Sequence, residues 1–225
     1  MVAESPKTIR TINLLIIISA LLAIYMEFLG NRTVYMVLKP LTTILVTSLL
    51  FFLPKQESSK FKMLIVAALL FCLLGDILLL FPAYFVFGLA AFLVAHILFT
   101  IGFINLKGFH PHWTSFLILY AIGASLFFWL QSGLGEFAVP VGVYVLVICF
   151  MAWQGIGLFL KEKRKEFLFI AIAVLLFMFS DTMIAISKFK TDFDYFSIVI
   201  LSTYWMSIGL IANAARKITL AGNPE

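Results

Sequence analysis

Long runs of apolar residues, separated by short polar segments, divide the chain into eight blocks. Each block has about 20 residues, the length that an α-helix needs to cross about 30 Å of hydrocarbon. The runs are continuous rather than alternating, which argues against a closed barrel, the other fold that satisfies its backbone within lipid. The pattern therefore predicts an all-α bundle of eight transmembrane helices, at approximately residues 11–29, 34–53, 62–81, 84–104, 113–131, 138–160, 167–187 and 195–215.

Prolines and flanking residues mark the ends of several blocks. Pro54 and Pro82 are expected to end the second and third helices, and Pro140 to lie at the start of the sixth, where a missing N–H costs little. Lys7 and Arg10 precede the first block as they would in a signal peptide, but its apolar run is longer and no A-x-A site follows. We interpret it as an uncleaved first helix. The chain then forms a single transmembrane domain, residues 1–225.

Composition supports a membrane protein. Of the 225 residues, 63% are hydrophobic and only 12% are charged, and the mean hydropathy is +1.11. Soluble domains carry about 25% charged residues, so a soluble fold is excluded and an integral membrane protein is predicted. Cys72 and Cys149 both lie within apolar runs and are expected to be buried free thiols.

The positive charges fall mainly on one side of the predicted bundle. Twelve of the 16 Lys and Arg residues lie before, after or between helices on the side of the two termini. Because positively charged loops face the cytoplasm, this predicts that both termini are cytoplasmic. If the source is bacterial, the predicted location is the inner membrane. This placement of the charges explains the net charge of +5 without a nucleic-acid partner. The run "KEKRKE" (161–166) is interpreted as a loop near anionic headgroups, and "GFHPHW" (108–113) as an interfacial loop rather than a metal site. The twelve residues are Lys7, Arg10, Lys55, Lys60, Lys62, Lys107, Lys161, Lys163, Arg164, Lys165, Arg216 and Lys217.

Five ionisable residues interrupt the apolar blocks: Glu27, Lys39, Asp76, His96 and Asp181. At 1.5 Å per residue, Asp76 lies about 8 Å and Asp181 about 10 Å from the outer ends of their helices. All five are in the outer half or at the midplane, although their helices alternate in direction. Because buried ionisable groups in membranes are costly and usually functional, we expect a shared polar cavity that opens toward the non-cytoplasmic side.

Structural roles stay open for most of these residues. Glu27 is near a helix end and can extend to the interface, and Lys39 can form an ion pair that only stabilises the fold. His96 adjoins a run of small residues and can make a hydrogen bond between helices. Tyr144 and Tyr204, also inside apolar blocks, can be packing residues.

Two carboxyl groups in a low-dielectric site can share one proton near neutral pH, so that one acts as an acid and the other as a base. Glycosidases use a pair of carboxyl groups as acid and base in this way. Within a membrane, the corresponding substrate is an acid-labile ether bond of a lipid. The same groups also suit proton-coupled transport. HExxH, GxSxG and Walker-type motifs are absent from the sequence.

The chain resembles the YhhN-type lysoplasmalogenases, a family of eight-helix membrane enzymes, over nearly its whole length. The motifs that carry the resemblance are "LKPLTT" (38–43), "LLGDILLL" (73–80), "FGLAAFLVAHILF" (87–99), "FMFSDTMIAISKF" (177–189) and "TYW" (203–205). The resemblance implies hydrolysis of the vinyl ether bond of a lysoplasmalogen, which gives a fatty aldehyde and a glycerophospho-ethanolamine or -choline, without a cofactor or metal.

Matched by motif, Asp76 and Asp181 are the candidate catalytic acid and base, in either order. The resemblance implies supporting or substrate-binding roles for Lys39, His96 and Tyr204, and we include Glu27 and Tyr144 as further candidates for such roles.

The chain departs from the family pattern after "TYW". A polar residue such as glutamine is expected there, and this sequence has Ser207 and Ile208. Ser207 is a hypothetical replacement for the amide.

Two other classes of function fit the same residues. In a proton-coupled transporter the aspartates would carry protons, and a non-catalytic lysolipid-binding protein would not require paired carboxylates. The sequence leaves open the headgroup preference, the chain-length preference and the oligomeric state.

Overall fold

The computed structural model describes residues 6–51, 60–191 and 195–222, and these contain eight α-helices and no β-strand. The prediction of an all-helical fold is confirmed, with one helix in each predicted block. The helices are α1 (Pro6–Phe28), α2 (Arg32–Ser48), α3 (Lys60–Leu78), α4 (Phe85–Lys107), α5 (Trp113–Leu134), α6 (Ala138–Glu162), α7 (Lys165–Phe189) and α8 (Phe196–Leu220).

The proline positions differ in part from their expected roles. Helix α3 ends at Leu78, and Pro82 instead begins a short 3-10 turn that leads into α4. Proline suits the start of such a turn because its fixed φ is already close to the helical value. Pro140 is the third residue of α6, within the first turn. Pro54 lies outside the described residues.

Apolar helices of membrane-spanning length make up most of the fold. Six segments of the described chain are long and apolar enough to cross a bilayer, and one of them, Trp113–Glu162, contains both α5 and α6. Helix α2 is not among them: it has 17 residues and includes Lys39 and Pro40. The protein is therefore a helical membrane bundle, with six to seven apolar helices among the described residues. Eight crossings with cytoplasmic termini stay a prediction.

Five helices form the closed centre of the bundle. Helix α3 packs along α4, α4 along α6, α6 along α7, α7 along α8, and α8 returns to α3. Helices α1 and α2 pack against α8 on one side, and α5 packs against α6 and α7 on another. Small residues allow close approach, since a Cβ added to Gly75 of α3 would lie 2.5 Å from the Phe92 ring of α4. The polar residues inside the membrane therefore face helices that are held close together.

The predicted orientation can be tested by cysteine labelling. Lys163→Cys, between α6 and α7, should react with a membrane-impermeant maleimide only from the cytoplasmic side, and Lys188→Cys, near the end of α7, only from the opposite side. Both lysines are exposed, whereas Cys72 and Cys149 are 0% exposed and should not react. Labelling of both introduced cysteines from one side would contradict the predicted topology.

Candidate active site

Asp76 is held by hydroxyl groups from two other helices. Its side chain lies near the end of α3 and is 1% exposed. Thr43 of α2 donates a hydrogen bond from Oγ1 to Oδ2 of Asp76 at 2.5 Å, and the Tyr204 hydroxyl of α8 donates to the same oxygen at 2.8 Å. Hydrogen bonds to a carboxylate stabilise its buried charge. Asp76 therefore connects α2, α3 and α8.

Lys39 supplies the positive charge of this region. It lies one helical turn before Thr43, is buried, and interacts electrostatically with Asp76 and with Glu27. Its ammonium group also lies 5.9 Å from the centre of the Tyr35 ring. Glu27 is partly buried in the last turn of α1. The structure thus brings Lys39, Asp76 and Tyr204 into one group, with Glu27 within range of the lysine.

Asp181 forms a second group with residues of α4 and α6. The Tyr144 hydroxyl donates a hydrogen bond to Oδ2 of Asp181 at 2.5 Å. Nε2 of His96 lies 3.5 Å from the same oxygen, and the His96 and Tyr144 rings meet edge to face at 5.3 Å. His96 is 0% exposed. A carboxyl, a phenol and an imidazole at these distances can pass a proton between them.

Aromatic rings join the two groups. The Phe177 ring centre lies 4.6 Å from that of His96 and 5.5 Å from that of Tyr204. Each aspartate has its own hydrogen-bond donors. Among the described residues, no hydrogen bond joins the two carboxyl groups. Both are nonetheless near enough to Cys72 to act on it electrostatically.

A narrow cavity of about 60 Å³ reaches Asp181 from between α4, α5, α6 and α7. It has room for a few water molecules, and its polar lining groups come from Asp181, Tyr144 and Thr182, together with the Cys149 thiol. Asp76, Lys39 and Glu27 do not line it. The expected polar cavity shared by both aspartates is therefore not found among the described residues. Asp76 is enclosed within its own group, and Asp181 lines a separate, mainly apolar cavity. Its other lining residues are Phe85, Leu89, Phe92, Gly123, Leu126, Leu130, Val141, Val145, Ile148, Met178, Ile184, Ala185 and Phe189.

Sequence reasoning missed two contributors to this region. Thr43 lies in the motif "LKPLTT", and its position four residues after Lys39 places both on one face of α2, a signal that could have identified it. Phe177 offered no such signal because it is one phenylalanine among 25.

The hypothesis that Ser207 replaces a missing amide receives no support from its contacts. Ser207 is fully buried, and its hydroxyl donates to the backbone carbonyl of Ala173 at 2.8 Å. This hydrogen bond connects α8 to α7.

The sequence model of the YhhN family matches residues 34–215, which include Lys39, Asp76, His96 and Asp181. The chain belongs to the YhhN family. It is 34% identical over 158 residues to the lysoplasmalogenase TMEM86A of Bos taurus, covering 67% of this chain and 64% of that protein. The chain thus spans slightly less than two thirds of that relative.

Two further relatives agree with the family assignment. The lysoplasmalogenase TMEM86B of Homo sapiens is 30% identical over 72% of this chain and 67% of its own length. The uncharacterized membrane protein YhhN of Escherichia coli O157:H7 is 29% identical over 60% of this chain and 65% of its own length. No solved structure matches the chain.

The hydrogen bond between Thr43 and Asp76 predicts a stability difference between two similar variants. Thr43→Val should lower the free energy of unfolding by about 1.5–3 kcal/mol, since a buried charged acceptor loses one donor. Thr47→Val is the control, because that hydroxyl donates to the Thr43 carbonyl of its own helix, and it should cost less. Thermal unfolding in detergent measures both, and equal shifts would contradict the interpretation.

Proposed function

We propose that this YhhN-family protein hydrolyses the vinyl ether bond of a lysoplasmalogen, releasing a fatty aldehyde and a glycerophospho-ethanolamine or -choline. The observation that carries the proposal is the position of Asp181, hydrogen-bonded to Tyr144 and close to His96, at a mainly apolar cavity inside a membrane bundle. Relatives at 30–34% identity bear the name lysoplasmalogenase. A lipid substrate also suits a protein whose helices lie in the bilayer.

The proposed reaction begins with transfer of a proton from a carboxylic acid to the alkenyl carbon that is β to the ether oxygen. The carbon–carbon double bond is consumed, and the carbon attached to oxygen becomes part of an oxocarbenium ion. Water adds to that carbon and gives up a proton to a base. The resulting hemiacetal collapses into an aldehyde and the free glycerol hydroxyl, so one water is consumed for each ether bond cleaved.

Asp181 is the proposed proton donor, since it lines the cavity and Asp76 does not. Asp76 is the proposed base, acting through the Tyr204 hydroxyl that donates to it. Neither residue lines the cavity, but the Tyr204 ring packs on Phe92, which does, so side chains here must move for water to reach the base. Tyr144 and His96 are proposed to hold the Asp181 carboxyl and to return its proton.

Lys39 and Glu27 complete the proposal. Lys39 would balance the negative charge of Asp76, and Glu27 would help to hold the lysine, since both carboxyl groups interact electrostatically with it. The arrangement belongs to one transmembrane domain, proposed to cross the membrane eight times with both termini in the cytoplasm.

The test is mass spectrometry of purified protein incubated with lysoplasmalogen or with its saturated-ether analogue. We expect aldehyde only from the vinyl ether, because a saturated ether has no alkenyl carbon to protonate. Asp181→Asn and Asp76→Asn should each reduce turnover by at least about 100-fold, the lower range for loss of acid–base catalysis.

Glu166→Gln is the matched control, since it makes the same kind of change on α7 outside the cavity, at a carboxylate that pairs with Arg164. It should retain turnover. Near-wild-type aldehyde release from either aspartate variant would remove that residue from the mechanism. Solute uptake into proteoliposomes without product would favour a transporter, and tight lysolipid binding with unchanged lipid would favour a non-catalytic binding protein.

A further inference from the structure

A second cavity lies at the opposite end of the bundle from the aspartates, where the connection between α4 and α5 meets the end of α6. Its volume is about 420 Å³, room for roughly a dozen water-sized groups. Unlike the cavity at Asp181, it is lined by basic and imidazole side chains, those of Lys161, Lys163, His110 and His112.

His110 is the unusual member of this cavity. It is only 4% exposed, and both of its ring nitrogens are buried without a hydrogen-bond partner. Burial lowers the pKa of His110, Lys161 acts in the same direction and Glu162 opposes it. The imidazole is therefore neutral at pH 7 and has one N–H to donate. A buried donor without a partner costs free energy, which a ligand in the cavity would recover.

The backbone around His110 is held in place from α6. The His110 N–H donates to Oε1 of Gln154 at 3.1 Å, and the Trp153 indole donates to the His112 carbonyl at 2.9 Å. At Gly157 there is no space for a side chain, because a Cβ there would lie 2.7 Å from the His110 carbonyl oxygen. The loop is thus packed directly on the helix that carries Lys161.

The charges at the cavity favour an anion. Lys161 and Lys163 are both exposed, and the Lys163 ammonium lies 5.0 Å from the centre of the Phe159 ring. Nδ1 of His112 accepts a hydrogen bond from the Ser115 backbone N–H, so its proton is on Nε2. Glu162 reduces the positive potential, but the two ammonium groups outnumber it, and the two imidazoles add N–H donors. Phosphate oxygens are acceptors that suit such a set of donors.

Exposed aromatic residues place the cavity at the depth of lipid headgroups. Phe109, 49% exposed, lines it, and Trp113, 65% exposed, begins α5 immediately after the loop. Aromatic side chains are enriched at the membrane–water interface, where an apolar ring meets polar headgroups. A lipid there could place its phosphate beside the basic residues and its acyl chains along these rings.

We propose that the cavity formed by His110, His112, Lys161 and Lys163 binds the phosphate headgroup of an anionic phospholipid from the adjacent leaflet. This site is separate from the proposed reaction and would bind lipid whether or not the protein hydrolyses lysoplasmalogen.

The test measures binding of phosphatidic acid and phosphatidylcholine to the purified full-length protein by native mass spectrometry. We expect a preference for phosphatidic acid that falls about tenfold or more in Lys161→Gln/Lys163→Asn, since each lysine is expected to donate a charge-assisted hydrogen bond to the phosphate. Lys60→Gln/Lys165→Gln is the matched control, because it removes the same charge on the same predicted side outside the cavity. An equal loss in both double variants, or no lipid preference, would overturn the proposal.

His110→Leu gives a second, independent measurement. Without added lipid its melting temperature should equal or exceed that of the wild type, since an unpartnered polar group is replaced by an apolar one, and its affinity for phosphatidic acid should fall. Unchanged affinity would exclude His110 from the site and overturn the proposal. Inorganic phosphate and glycerol 3-phosphate are tested as competitors, and equal binding of either would assign the cavity to a soluble phosphate compound instead of a lipid.

Discussion

A carboxyl group surrounded by apolar helices requires polar partners, and this requirement organises the centre of the bundle. Asp76 and Asp181 lie on α3 and α7, and each takes its hydrogen-bond donors from other helices. The donors have to come from neighbouring helices because the backbone groups of each helix are already paired within it. Six of the eight described helices, α2, α3, α4, α6, α7 and α8, thereby contribute polar side chains to one of two groups, and Phe177 packs against a ring of each.

The two aspartates have different surroundings, and this difference suggests different tasks. Asp76 is enclosed by hydroxyl groups with a lysine in range, an arrangement that stabilises charge but leaves little room for a substrate. Asp181 has one hydroxyl donor, a nearby histidine and access to a mainly apolar cavity. An acid that must reach a lipid carbon needs the second environment. The volume of that cavity indicates that its side chains must move before a lipid chain enters.

The two ends of the bundle differ in chemistry. The aspartate groups lie in a largely apolar interior, and the cavity at His110 lies among lysines and exposed aromatic residues. A lysolipid, the proposed substrate, has an acyl chain and a phosphate headgroup, and the apolar and basic cavities differ in the same way. The short loop "GFHPHW" (108–113) lines the basic cavity because α6 packs beneath it.

The sequence by itself determined the all-helical membrane class and the number of helices, and it singled out Asp76 and Asp181 as candidate site residues, because apolar length and buried charge are visible residue by residue. Helix ends were less predictable, as at Leu78, since hydropathy marks the lipid boundary rather than the last turn. Only the tertiary structure decided that Thr43 donates a hydrogen bond to Asp76 and that Tyr144 donates one to Asp181. Those pairings depend on which faces of distant helices meet, and packing of the whole bundle sets that choice.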